Sequence, residues 1–210
     1  MEQKKILITG FEPFGGDTVN PSYETVKELP DRIGKWEVVK EILPVSFTES
    51  IRTLKKLIAL YHPDVVLCVG QAGGRHCVSL EKIAVNLADA TIPDNDGVIP
   101  ENETLIEKGP DGVFSNLPVR DMVKNVTDHE IPCYVSYSAG TYVCNCVFYH
   151  TMALCKNEYP GMRGGFIHLP YLHRQIAESR MKKPGMSLET MVKSVELLIE
   201  AIPYENGQTL

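Results

Sequence analysis

Asp64-Val65-Val66-Leu67-Cys68-Val69-Gly70 is the stretch on which the fold reading turns. Its apolar run is far too short to span a bilayer, and it has no polar face to give to water. Such a run suits a strand covered on both sides, as in a parallel sheet with helices over each face. Just upstream, Pro63 blocks the extension of a helix whose apolar stripe falls at Ile51, Leu54, Leu57, Ile58 and Leu60. Further back lie strands expected over Trp36–Leu43 and Lys5–Thr9. Between them Asn20 caps a helix that starts on Pro21 and runs to about Leu29. Downstream, 77–88 reads as one extended strand. The turn cluster Asp94-Asn95-Asp96-Gly97 then leads into an irregular region reaching Leu117. That length without regular structure marks a functional flap, a subunit contact or disorder. Regularity returns with a helix over 119–128, a strand over Cys133–Tyr137, a helix from about Thr141 to Lys156 and a strand at Gly165–Leu169. Ser187 opens a last helix with apolar Leu188, Met191, Val195, Leu198 and Ile199. Alternating strands and helices predict an α/β layer sandwich with a mixed, mostly parallel sheet, one domain over residues 1–210.

Composition narrows the function. The 210 residues hold 43% hydrophobic and 23% charged residues, an ordinary globular balance that argues against a disordered chain or a rod. A formal charge of -6 gives no basic face for a nucleic acid or an anionic membrane, so neither is an expected partner. Only Ile6, Leu7 and Ile8 separate the charged start from Thr9, too little for a signal peptide, and the cytosol is the expected address. Six cysteines lie mostly inside apolar runs without the spacing of a disulfide framework, which favours free thiols.

In α/β folds ligands gather where strands run into loops. The loops to consider are Gly10–Gly16, Gly70–His76, Ser138–Cys144 and the turn after His168. Gly70-Gln71-Ala72-Gly73-Gly74-Arg75-His76 has neither the phosphate-loop pattern nor the dinucleotide spacing. Cys144 follows the small-residue turn Ser138-Ala139-Gly140-Thr141, which puts it in or near the first turn of a helix. The helix dipole and free amides there favour a thiolate. His168 ends a strand just before Leu169-Pro170, so its ring should emerge at a loop edge as a base; His173, close to the same turn, is the alternative. Glu81, in an extended Ser79–Leu87 segment, shares a face with Ile83, Val85 and Leu87, where a carboxylate needs a partner. That partner is either a histidine, which it would orient, or a cation such as Arg75 or Lys82. Cys144 and Cys146 point about 200° apart on a helix, and His150 does not repair the divergence, so no metal site is expected.

Two long motifs resemble those of the pyroglutamyl peptidase I (pyrrolidone-carboxylate peptidase) family. One runs from Gly70 through Glu81 to Asn86, the other from Ile131 through Cys144 to Asn145. Gly10-Phe11-Glu12-Pro13-Phe14-Gly15-Gly16, Asn20-Pro21-Ser22, Ile92-Pro93-Asp94-Asn95 and Ile167-His168-Leu169-Pro170 add to the match. The resemblance implies a cysteine exopeptidase that removes an N-terminal 5-oxoproline residue from peptides. It implies a three-layer α/β/α sandwich related to nucleoside-phosphorylase-like folds, no metal or organic cofactor, and commonly a homotetramer. It assigns catalysis to Glu81, Cys144 and His168. The lactam pocket falls to Phe11, Phe14, Gln71, Tyr142 and Val143. The chain departs from the family pattern at Thr91, where many members carry an arginine proposed to help the oxyanion site. That leaves the oxyanion more dependent on backbone amides, including that of Cys144. It departs again at His173, often proline. A different cysteine amidase, a nucleoside-phosphorylase-like enzyme and a non-catalytic binder of pyroglutamyl peptides are the rival readings. Each leaves the full Cys144 motif unexplained.

Overall fold

The computed structural model describes residues 3–179 and 182–204, so the remaining positions of the expected 1–210 domain lie outside the described residues. The chain opens with β1 (Lys5–Phe11), α1 (Pro21–Glu28), β2 (Arg32–Ile33) and β3 (Trp36–Leu43). It continues through α2 (Glu49–Tyr61), β4 (Val65–Gln71), β5 (Val78–Glu81), β6 (Ile83–Val85) and β7 (Gly112–Phe114). Then come α3 (Val119–Thr127), β8 (Cys133–Ser136), α4 (Val143–Asn157) and β9 (Arg163–Leu169). The last elements are β10 (Tyr171–Leu172), α5 (His173–Ser179), β11 (Gly185–Met186) and α6 (Leu188–Glu200).

A seven-stranded sheet in the order β2-β3-β1-β4-β9-β5-β8 forms the middle layer. Strands β3, β1, β4 and β9 run parallel, β5 pairs antiparallel with β9, and β8 runs parallel to β5. The sheet is therefore mixed and mostly parallel, as the alternation of elements predicted. The pleat sends successive residues of β1 and β4 into two separate cores. Ile6, Ile8, Val65, Leu67 and Val69 meet Val26 of α1, Met122 and Val126 of α3, and Met191, Val195 and Leu198 of α6. Leu7, Val66, Cys68 and Phe166 meet Ile51, Leu54 and Ile58 of α2 and Val143, Cys146, Val147 and Phe148 of α4. Both faces of the Val65–Val69 run are buried because helices cover both, which completes the α/β/α sandwich.

The extended segment expected over 77–88 is broken. At Lys82 the chain leaves the main sheet, its N–H donating to the Ser136 carbonyl at 2.7 Å, and β6 pairs with β7 in a separate two-stranded sheet. Alternation does not carry through that break: Glu81 and Ala84 are buried while Ile83, Val85 and Leu87 are half-buried. Glu81 therefore does not share one face with Ile83, Val85 and Leu87. Among the described residues no helix is long and apolar enough to cross a membrane, and all six cysteines are unpaired.

Beyond β7 and a short backbone bridge between Ala88 and Glu103, side chains order the irregular region. Asp94 is buried and accepts from the backbone N–H groups of Phe47 (2.9 Å), Asp96 (3.0 Å) and Val98 (2.8 Å). Asn95 donates to the Pro13 carbonyl at 3.1 Å and the Tyr142 hydroxyl donates to that of Pro93 at 2.9 Å. These bonds fasten 93–98 against the loop after β1 and the start of α4.

Candidate active site

Three strand ends and one helix start meet at one edge of the sheet. In the register, His168 of β9 lies opposite Gly70 of β4 on one side and Ser79 of β5 on the other. The ring of His168 sits 4.8 Å from that of Phe166, two residues back along the strand. On its β5 side, His168 Nδ1 is 2.7 Å from Glu81 Oε1. On its β4 side there is a gap, because Gly70 has no side chain. A Cβ at position 70 would lie 2.7 Å from Cys144 Sγ and 2.9 Å from Phe166 Cζ. The missing methyl group is what admits the sulfur next to the histidine strand.

Helix α4 delivers that sulfur. Tyr142 is its N-cap and offers no side-chain hydrogen bond, so Cys144 is the second helical residue and the first-turn N–H groups keep their donor capacity. The helix starts at Val143, two residues later than the sequence suggested, because Tyr142 takes an extended backbone with φ -88° and ψ -168°. Asn145, fully buried, holds this end in place. Its amide donates to the carbonyls of Val85 (2.9 Å) and Leu87 (3.0 Å), and its oxygen accepts from Val85 N–H at 3.0 Å.

Glu81 has both partners that the sequence left as alternatives. Its Oε1 also accepts from Arg75 Nη1 at 2.6 Å. Arg75 donates further to Ser79 Oγ and, at 2.9 Å, to the Ser138 carbonyl, tying the carboxylate to the turn before α4. The sequence offers Arg75 only as a competitor of the histidine. The signal for its fuller role is a cation six residues from a buried glutamate, with a strand start between them.

The charges settle as follows. Burial pulls Glu81 upward, but the His168 hydrogen bond and the His168 and Arg75 charges, with the Ser136 hydroxyl nearby, outweigh it and its pKa ends below 4.5. An ionised Glu81 can only accept, so Nδ1 of a neutral His168 carries the proton and Nε2 is left as the basic nitrogen. Burial, helped by Arg75, lowers the His168 pKa below 6.5 despite the pull of Glu81. Set against the expected thiolate, burial pushes the Cys144 thiol up to about 12, with the Glu81 and Cys68 charges adding to the rise, while Arg75 and the residue's own amide pull it back. No hydrogen bond joins Cys144 to His168 among the described residues.

Both residues line one cavity of about 200 Å³, together with Phe11, Phe14, Gln71, Tyr142 and Val143. Every pocket residue named from the sequence is on its wall. Asn20, Val45, Ala72, Arg75, Ala139 and Gly140 complete the lining, and nothing in the sequence reading marks them as pocket residues. Asn20 gets there through its capping role. It accepts from Ser22 N–H at 3.0 Å and donates to the Glu12 carbonyl at 2.9 Å, which closes the loop bearing Phe11 and Phe14. Phe14 packs on Tyr142 with ring centroids 6.0 Å apart, and Phe47 meets the same tyrosine edge-on at 5.4 Å. Thr91 is exposed and is not part of the lining, so position 91 gives the cavity no donor. His173 is also exposed, 3.2 Å from the Gly185 carbonyl and outside the lining. No cluster of three or more metal-ligating side chains occurs among the described residues.

Comparison with known proteins gives a consistent result. The family described as "Pyroglutamyl peptidase" matches residues 4–205. The pyrrolidone-carboxylate peptidase of Thermosipho africanus is 48% identical over 201 residues, covering 96% of this chain and 98% of the relative. That of Enterococcus faecalis is 46% identical over 200 residues, covering 94% and 92%. Among solved structures, pyroglutamyl peptidase I from Bacillus amyloliquefaciens superposes with a TM-score of 0.93 at 40% identity over 97% of each chain. The pyrrolidone carboxyl peptidase from Thermococcus litoralis gives 0.90 at 40% identity, covering 94% of this chain and 92% of that one.

Proposed function

The chain belongs to the pyroglutamyl peptidase family, and from that premise we propose how its cavity carries out the reaction. It is a cysteine exopeptidase that hydrolyses the amide bond after an N-terminal pyroglutamyl residue and releases free pyroglutamate. The observation that carries the residue assignment is the shared cavity, where Cys144 and His168 stand at one end of a slot walled by Phe11 and Phe14. A neutral lactam needs such an apolar slot with a few placed hydrogen bonds and no salt bridge. An uncyclised N-terminal glutamate would bring charges into it at a large desolvation cost.

Because the thiol rests protonated, attack and proton transfer are coupled. His168 Nε2 takes the Cys144 proton as the sulfur adds to the pyroglutamyl carbonyl carbon. The carbonyl electrons move onto oxygen, and the free amides of the first turn of α4 face that developing charge. Collapse of the adduct breaks the C–N bond, and His168 hands its proton to the departing amine. A thioester on Cys144 remains. Water then loses a proton to His168 and attacks the thioester, and the thiolate that leaves recovers the proton. Glu81 holds the ring in the Nδ1–H form and stabilises its positive charge at both steps.

Two further statements belong to the same reading. A cytosolic address is supported by six unpaired thiols, which a reducing compartment preserves. Association of copies is supported by apolar surface left open on the monomer, where Phe114 and Tyr137 are each 62% exposed, and the family resemblance makes a homotetramer the form proposed. The decisive assay is release of the chromophore from a pyroglutamyl anilide by the wild type and by Cys144→Ala. The variant should lose roughly 10³-fold or more of kcat. Turnover within tenfold of wild type would remove Cys144 from the nucleophile's role.

A further inference from the structure

Gln71 is a polar group on the cavity wall whose orientation is dictated by residues outside the cavity. It ends β4, is half-buried and lines the cavity. Its Oε1 accepts from Nε2 of Gln175 on α5 at 3.1 Å. Which atom of a side-chain amide is oxygen and which is nitrogen has to follow from the surrounding hydrogen bonds, and here they leave one solution. The Leu172 N–H can only donate, so the Gln175 atom 2.9 Å away is its oxygen. The Val19 carbonyl can only accept, so the Gln175 atom 3.2 Å from it is its nitrogen. The same nitrogen is 3.5 Å from Asp17 Oδ2, another acceptor. What Gln71 turns toward that nitrogen must therefore be its own oxygen. The Gln71 NH₂ group has no protein acceptor among the described residues and is left for the cavity.

Resting on the pyroglutamyl reading above, we propose that Gln175 is a positioning residue that sets the polarity of Gln71. It makes the cavity offer a hydrogen-bond donor to the ring carbonyl of the lactam. The ring carbonyl is what separates 5-oxoproline from proline, so this single orientation contributes directly to the choice of acyl group. A site built to hydrogen-bond one substrate group discriminates strongly against analogues that lack it, because its own buried polar atom is then left unpaired. Gln175 touches neither the substrate slot nor the reacting atoms, since it is absent from the lining.

The test is Gln175→Glu. The carboxylate keeps an acceptor for Leu172 N–H but replaces the donor that faces Gln71, which must then rotate and present its oxygen to the lactam carbonyl. KM for a pyroglutamyl anilide should rise about tenfold or more, and inhibition by 2-pyrrolidone should weaken by the same factor. The kcat and the rate of Cys144 alkylation by iodoacetamide should each stay within about threefold of wild type, an unchanged thiol that a general loosening of the site would not give. Should Gln175→Glu not fold, Gln71→Glu makes the same inversion from the other side. One of its oxygens accepts from Gln175 and the other faces the cavity, so its KM should rise alike. A KM within twofold of wild type in a folded variant, or a fall in kcat with KM in place, overturns the inference. Lack of turnover by the wild-type enzyme would instead overturn the pyroglutamyl reading beneath it.

Discussion

At the scale of single residues, an absent side chain matters as much as the ones that react. Gly70 lies in register with His168, and the absence of a Cβ there leaves room for the close approach of Cys144 Sγ. Gly70→Ala puts a methyl group 2.7 Å from that sulfur, closer than packed atoms sit, so the sulfur or the strand must move. Displacing a reacting atom by about 1 Å costs roughly 10² in rate. We expect kcat to fall by about that factor in anilide hydrolysis, with about 1–3 kcal/mol lost from stability by overpacking. Wild-type turnover in Gly70→Ala would show that the close approach is not needed. In the sequence this glycine ends an apolar strand and opens a glycine-rich loop and a family motif, and none of these names the neighbour of its Cα. Which side chain fills the place of its Cβ depends on a helix more than seventy residues away.

At the scale of elements, the start of α4 is fixed by the contacts Asn145 makes with the chain at 85–87 more than by a cap of its own. Its first turn lacks a side-chain cap, and Tyr142, Cys144 and the free amides are aimed by Asn145 locking onto 85–87. Asn145→Ala removes three hydrogen bonds and leaves buried backbone groups of Val85 and Leu87 without partners. Urea unfolding should show a loss of about 2–4 kcal/mol, with anilide turnover reduced as well. A loss below about 0.5 kcal/mol would mean that water or other groups replace the amide. The break at Lys82 serves the same region. By ending β5 just after Glu81, it sends the chain into the small β6–β7 sheet, whose first strand Asn145 grips. A sequence reading by alternation cannot see that break, because the residues on both sides of Lys82 are equally strand-like.

At the scale of the whole molecule, burying an acid–base pair between layers makes stability depend on pH. The folded pKa of His168 lies below its ordinary 6.5 and that of Glu81 below its ordinary 4.5. In both cases the unfolded chain binds protons at a higher pH than the folded one, so both groups make stability rise with pH. The His168 contribution is complete above about pH 6.5 and falls away as pH drops toward its lowered folded value. The Glu81 contribution follows below about pH 4.5. Thermal unfolding from pH 8 to pH 4 should show Tm falling from about pH 6.5 downward, and replacing His168 with Gln should flatten the first part of that fall. A His168→Gln curve parallel to wild type across pH 5–7 would place the dependence elsewhere. The amino-acid sequence by itself determined the layer order and nearly every principal strand and helix, because strand and helix burial leave periodic traces along the chain. It also determined the identity of the residues that meet, through motifs long enough to mark a family. Only the tertiary structure decided that burial pushes the Cys144 thiol upward, that Glu81 holds a histidine and an arginine at once, and which end of the Gln71 amide faces the cavity. Those outcomes depend on desolvation and on hydrogen-bond directions set by groups distant along the chain, and neither quantity is written in local sequence.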